Sequence, residues 1–293
     1  MDKDTIKRLI IEYQQFVANI TLIEREIHLS HQLNYVFVGL RRAGKSYLMY
    51  QQIQSLLNDG HQPEEILYFN FEDDRLVNLT VEDLDLIKVS YEELYPHKPI
   101  FFLDEIQIVE HWEKFARRLA DQQYRVYITG SNAKMLSAEI ATTLGGRYIV
   151  QNVYPFSFSE FLKASKIEIG PTWYYKNRTE IVRTFSDYFS YGGLPELMLI
   201  ETIEKRQWLS NLFNKIFFGD LITRYSIRND LAMKVLIRKL AESVKQPSSF
   251  NRLTNIVSTT GAKVSTDTII DYLNFLQATW LFFSLENYAS KLV

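Results

Sequence analysis

The sequence predicts an α/β fold: a parallel sheet wrapped by helices in the first half, followed by a helical second half. Three observations carry this. Five short apolar runs rich in β-branched and aromatic residues recur between residues 35 and 153. Stretches of helical periodicity separate them, the pattern of strands buried on both faces and joined by helical crossovers. After Pro155 no such run returns until residue 279.

In chain order, residues 5–30 mix apolar and charged positions at helical spacing and predict a first helix. The strand candidates are Tyr35–Val38, Ile66–Phe71, Ile100–Leu103, Tyr124–Ile128 and Tyr148–Val153. Helical patterns SYLMYQQIQSLLN, VEDLDLIKVSYEELY, HWEKFARRLADQQ and NAKMLSAEI follow the first four. Beyond Pro155, residues 178–190 and 196–227 read as long helices, broken by the paired glycines and proline of YGGLPE at 191–196. Helices are then predicted over 231–243 and 250–258, with a third opened by Ser265 or Thr266 as cap. TWLFFSLENY at 279–288 reads as a strand or hairpin.

The 293 residues allow one large or two smaller domains, and 46% apolar with 23% charged residues is ordinary for a globular chain with a sizeable core. There are 33 basic and 35 acidic residues, so no global field announces a polyanion. The split is uneven, with 16 Lys/Arg against 23 Asp/Glu up to residue 160 and 17 against 12 thereafter. A polyanion contact would therefore fall in the second half, although solvated surface charge gives the same counts. Cysteine is absent, which excludes disulfides and thiolate metal sites. The N-terminus lacks the features of a signal peptide, and no apolar run approaches the roughly 20 residues of a bilayer crossing. The expectation is a soluble cytoplasmic protein without a membrane partner.

Gly39-Leu40-Arg41-Arg42-Ala43-Gly44-Lys45-Ser46 fits the pattern G-x-x-x-x-G-K-[ST], with a strand before it and an apolar-periodic helix after. Glycines at both ends let successive amides converge on phosphate oxygens, and the helix from Lys45 adds unpaired N–H groups and its positive dipole end. Lys45 would reach the β- and γ-phosphates, and the Ser46 hydroxyl would ligate Mg²⁺. Together with Tyr47 these residues form the expected nucleotide-binding set. Such a loop calls for a carboxylate at the end of another buried strand, and PIFFLDE supplies it. Asp104 would hold Mg²⁺ through water, while Glu105 would orient or deprotonate the attacking water. Glu105 beside Asp104 points to ATP; Asn214-Lys215 lacks the following acid of a guanine reader. The strand YRVYI runs into Thr129-Gly130-Ser131-Asn132, where Asn132, or second Ser131, would sense the γ-phosphate. Capping of the following helix is the competing role for both.

In order along the chain, GLRRAGKS (39–46), YFNFEDDRL (68–76), FFLDEIQ (101–107), TGSN (129–132), GGR (145–147), YPFSFSEF (154–161) and YGGLPE (191–196) resemble the AAA+ ATPases. More narrowly they resemble the prokaryotic archaeal-type AAA family whose loop reads G-x-R-R-x-G-K-[ST]. The resemblance implies a five-stranded P-loop domain with its N-terminal helix over 1–160, a helical lid or linker over 161–228 and a winged-helix-like domain over 229–293. Relatives of that family usually continue into a further mixed α/β domain, so the resemblance implies either such a domain beyond residue 293 or a short member. Arg147 stands where such ATPases present an arginine to a neighbour's γ-phosphate. That role implies a homo-oligomer and a slow isolated monomer; the alternative is a surface ion pair. The lid departs from the wider pattern, since Pro195-Glu196 stands where many members place a nucleotide-sensing arginine. Arg41 and Arg42 either supply positive charge there or point to solvent.

The third helix of a winged helix commonly enters the DNA major groove. Here its polar face would offer Ser265, Thr266, Asp267, Asp271 and Asn274, with Lys245, Arg252 and Lys263 nearby. Residues 229–293 carry 7 basic and 5 acidic residues, so the positive charge needed for phosphates is thin. The expected function is an Mg²⁺-dependent ATPase acting as a nucleotide-gated switch on double-stranded DNA. The alternative is a protein-interaction or signalling ATPase with the same helices as docking module. No acceptor-binding constellation supports a small-molecule kinase.

Overall fold

The computed structural model describes residues 2–76, 79–130, 142–167, 170–244, 246, 248–261 and 263–285. It divides into two compact units, 1–205 and 206–293.

In the first unit, α1 (Lys3–Asn19) is capped by Asp2, whose side chain accepts from the Thr5 amide at 2.8 Å. Its buried residues Ile6, Leu9, Ile10 and Val17 follow the helical period. The helix stops well short of residue 30 because Gln54 Nε2 donates to the carbonyls of Val17 (3.2 Å) and Ile20 (2.8 Å), closing its last turn. Five parallel strands follow: β1 (Asn34–Val38), β2 (Ile66–Asn70), β3 (Ile100–Asp104), β4 (Arg125–Gly130) and β5 (Tyr148–Asn152). Their order in the sheet is β2-β3-β4-β1-β5. The connections are helices α2 (Lys45–Asn58), α3 (Val81–Leu94) and α4 (Trp112–Asp121).

One sheet face is aromatic. Phe102 and Tyr127 stack at 4.5 Å, beside Tyr35, Phe37 and Tyr68, and α2 closes the layer with Leu48, Met49, Ile53 and Leu56. Because β1 lies between β4 and β5, the chain leaves β1 in one direction and returns past it in the other. The carboxyl ends of β1, β3 and β4 therefore border the crevice where open α/β sheets bind ligands.

After β5 come α5 (Phe158–Ala164) and α6 (Arg178–Tyr191). Gly192, at φ 82°, ends α6. The next glycine serves a different need: a Cβ on Gly193 would lie 2.3 Å from the Phe156 carbonyl oxygen. Only glycine allows that approach, which the Phe156 N–H seals by donating to the Gly193 carbonyl at 2.8 Å. The division between the units falls within α7 (Thr202–Lys215).

The second unit holds α8 (Asp230–Glu242), α9 (Phe250–Ser258) and α10 (Thr266–Ala278), capped by Asn229, Ser249 and Ser265. Their core contains Met233, Leu236, Val257, Ile269 and Leu276, and Tyr225 stacks on Phe275 at 3.9 Å. The strand expected from residue 279 does not form over 279–285. Trp280 turns at φ 62°, and the described residues of this unit contain no strand with which it could pair. Among the described residues no helix is long and apolar enough to cross a membrane.

A buried ion pair ties the irregular segment after α1 into the first unit. Arg25 Nε donates to Glu160 Oε1 at 2.8 Å, Nη1 to the Ala43 carbonyl at 3.0 Å and Nη2 to the Tyr154 carbonyl at 2.8 Å. Its guanidinium also lies 5.0 Å from the Phe156 ring centre. Burial alone would raise the Glu160 pKa, but the Arg25 bond and the amides of Ser157 and Glu26 outweigh it and hold the carboxyl below its usual range. Such a pair is strongly destabilising when half of it is removed, because the other charge stays buried. Arg25→Leu is therefore expected to lower stability by about 3–5 kcal/mol in denaturant unfolding. With a depressed folded pKa, the contribution of Glu160 is present above the ordinary carboxylate range and lost as pH falls through the lowered value. Glu160→Gln should accordingly flatten the acid limb of the stability profile.

Candidate nucleotide-binding site

β1 runs directly into the glycine-rich loop, and its two glycines meet different demands. Gly39 has no left-handed dihedral; a Cβ there would sit 2.1 Å from the Val153 carbonyl oxygen. The Val153 N–H donates to the Val38 carbonyl at 2.7 Å, so β5 presses its end against the loop. This corrects the expectation that Gly39 supplies an unusual backbone angle. Positive φ falls instead on Arg42 (63°) and Gly44 (96°), the residue that opens α2. No side chain caps α2 and no acid lies in its first turn, which leaves its amides directed at the crevice.

Lys45 is buried. Its Nζ donates to the carbonyls of Gly39 and Leu40, both at 3.2 Å, and lies 4.0 Å from Glu105 Oε1. Burial lowers its pKa against the opposing pull of Glu105 and Asp104. Ser46, one residue on, donates to Asp104 Oδ1 at 3.1 Å. Ala43 is fully buried, whereas Tyr47 is 52% exposed on the first turn of α2.

Asp104 is only 2% exposed at the end of β3. Oδ1 also accepts from the Thr129 hydroxyl, and Oδ2 accepts from the Tyr68 hydroxyl at 2.7 Å. Burial pushes the Asp104 pKa up, while the three hydroxyls favour its ionised form. Glu105 leaves the strand at φ 56°, and its N–H donates to Thr129 Oγ1 at 2.9 Å. Its side chain meets the Gln107 amide at 2.5 Å. The Ser46 hydroxyl and the Asp104 carboxylate are hard oxygen donors brought together. That set fits Mg²⁺, which takes few protein ligands and completes its shell with water and phosphate. Among the described residues, no group of three or more acidic or histidine side chains forms a separate metal site.

Thr129 and Tyr68 were not expected. A threonine in an otherwise apolar buried strand was the available signal for the first; nothing local distinguishes the second. Ser131 and Asn132 lie outside the described residues. Arg147 Nε donates to Asp121 Oδ1 of the same chain, and its Nη1 to the Gly145 carbonyl at 3.2 Å. Arg42 pairs with Glu196 of the YGGLPE turn, so its charge meets a carboxylate.

Residues 31–162 match the family described as AAA domain, and residues 182–293 match a domain of unknown function, DUF8612. The chain is 32% identical to the uncharacterized protein MJ1544 of Methanocaldococcus jannaschii over 293 residues, covering 99% of this chain and 65% of that protein. It is also 32% identical to an uncharacterized protein of Haemophilus influenzae over 279 residues, covering 91% of this chain and 67% of that one. The chain thus spans about two thirds of the length of these relatives. Among solved structures it is similar to AMPPCP-bound DnaA from Aquifex aeolicus at 15% identity and TM-score 0.33, covering 92% of this chain and 86% of that one. The Aeropyrum pernix Orc1 protein in complex with DNA gives 15% identity and TM-score 0.33, with 94% and 83% covered. Overlap this loose carries neither site nor function across. The chain belongs to one family with the Haemophilus influenzae protein, and it carries an AAA domain of the P-loop ATPase fold.

Proposed function

We propose that the protein binds Mg·ATP at the carboxyl ends of β1 and β3 and hydrolyses it. The observation that carries this reading is the convergence of Lys45, Ser46, Asp104 and Glu105 around the amides that open α2. Lys45, folded back on two carbonyls of its own loop, would exchange them for the β- and γ-phosphates. Ser46 and Asp104 would hold Mg²⁺, which supplies charge neutralisation for the transferring phosphoryl group. Glu105 would accept a proton from water as the water oxygen bonds the γ-phosphorus and the β,γ-anhydride bond breaks, releasing ADP. Gly39, Leu40, Arg41, Arg42, Ala43 and Gly44 would line the phosphates, with Tyr47 exposed beside them. Ser131 or Asn132 would sense the γ-phosphate. A role for Arg147 on a neighbouring copy requires it to leave Asp121, and the isolated monomer would then turn over slowly.

The hydrolytic cycle would serve as a switch read out by residues 206–293. A DNA output rests on the succession of three helices ending in α10. Protein docking is favoured by a specific observation: α10 opens with Ser265 and Thr266 engaged in bonds to Thr268, Thr254 and Asn251, and carries Asp267 and Asp271. Large apolar side chains stand exposed in the same unit, among them Leu231, Phe250 and Leu285. The acids on α10, together with exposed apolar side chains, suit a protein partner better than phosphates.

Lys45→Ala is expected to abolish Mg·ATP binding in calorimetry. Glu105→Gln should keep binding within a few-fold while single-turnover hydrolysis falls by about 100-fold or more. Hydrolysis persisting at the wild-type rate in Glu105→Gln would mean that another group is the base. Binding of duplex DNA, titrated against salt with and without a non-hydrolysable ATP analogue, separates the outputs. A DNA switch loses affinity steeply with salt, whereas a docking module shows no specific DNA binding at any salt.

A further inference from the structure

Gln107 stands two residues past the proposed base, and the local backbone brings it back alongside. Glu105 adopts a left-handed conformation, and the tight turn Ile106–Ile108 follows, closed by the Ile108 N–H donating to the Glu105 carbonyl at 3.2 Å. Ile106 and Val109, both fully buried, pin that turn to the core. The result places Gln107 Nε2 2.5 Å from Glu105 Oε2, while Glu105 Oε1 faces Lys45 at 4.0 Å.

The other end of the same amide is unusual. Gln107 Oε1 is buried without a hydrogen-bond partner. A buried carbonyl left without a donor is destabilising, and native interiors rarely carry one. The arrangement therefore satisfies the N–H at the expense of the oxygen. The amide cannot be turned round, because a carboxylate only accepts and requires the nitrogen. The bond to Glu105 thus sets which way the amide faces.

We propose that Gln107 is a positioning residue for hydrolysis, holding Oε2 of Glu105 so that Oε1 is directed toward the triphosphate. This rests on the ATPase reading above. In that reading Lys45 moves to the phosphates, and Glu105 then loses a cation that helps to fix it. A neutral donor two residues away keeps the carboxylate in place without ion-pairing it, which leaves it available to take a proton. The left-handed backbone at Glu105, strained at a residue with a side chain, is part of the same arrangement.

The test compares wild type, Gln107→Met, Gln107→Glu, Glu105→Gln and the double variant Glu105→Gln/Gln107→Met in the full chain. Mg·ATP affinity is read by calorimetry, hydrolysis by single-turnover rates and folding by thermal melting. Gln107→Met, similar in length but without a donor, should bind Mg·ATP within about threefold of wild type and hydrolyse it about 10–100-fold more slowly. Gln107→Glu, which sets a second carboxylate against Glu105, should be at least as slow. The double variant should be no slower than Glu105→Gln alone, since a residue acting only through Glu105 has nothing left to position. A structural role would instead lower affinity, melting temperature and rate together, and its effect would multiply with that of Glu105→Gln. Wild-type rates in Gln107→Met, or multiplicative losses in the double variant, overturn the inference. If Glu105→Gln collapses hydrolysis and Gln107→Met does not, only the role of Gln107 falls. If Glu105→Gln hydrolyses normally, the base assignment falls and takes this role with it.

Discussion

A carboxylate with almost no access to water, at the end of a buried strand, is the constraint around which the first unit is organised. An ionised Asp104 without partners would face a desolvation penalty of several kcal/mol. Three hydroxyls offset part of it, and each arrives from a different element: Ser46 from α2, Tyr68 from β2 and Thr129 from β4. Strand order follows the same requirement, because β3 can receive both Tyr68 and Thr129 only by lying between β2 and β4. Thr129 then does double service by accepting the Glu105 amide, which couples the two adjacent acids to one side chain.

The glycine-rich loop is held by contacts from β5 and from Arg25. β5 crowds Gly39, Arg25 grips the Ala43 carbonyl, and the guanidinium stands 3.4 Å from where a Cβ on Gly44 would lie. Packing and a buried ion pair thus fix the backbone from which α2 presents its first amides, uncapped by any side chain. Preorganised donors of this kind need no rearrangement when an anion arrives. The same Arg25 joins the loop to the segment around Phe156, against which Gly193 of the YGGLPE turn is pressed. The glycine punctuation of the sequence therefore marks close approaches, at Gly39 and Gly193, as much as turns, at Gly44 and Gly192.

Much of this was legible in the order of residues. Five strands, the helices after the first three of them, the loop with Lys45 and Ser46, and the acids ending β3 all announce themselves through periodicity and short spacing; the helix expected from Asn132 lies outside the described residues. The misreadings are equally specific. The first helix was expected to continue to residue 30, because apolar spacing persists there; Gln54, from another helix, ends it at Asn19. Gly39 looked like a dihedral requirement and is a packing one. Residues 279–285 have strand propensity, yet no described strand of their unit offers them a partner. Arg42, read as either positive charge near the lid or a solvent-facing side chain, is paired with Glu196.

By itself the sequence determined what depends on near neighbours: helix and strand periods, the glycine-lysine-serine loop, and which acids terminate a buried strand. These are set by backbone geometry and local burial within a few residues. Only the tertiary structure decided which distant groups complete the site. Tyr68 meets Asp104 across 36 positions, and Arg25 finds Glu160 across 135. No local signal encodes such pairings. They follow from strand order and register, and a buried charge makes them obligatory once the sheet has brought the partners together.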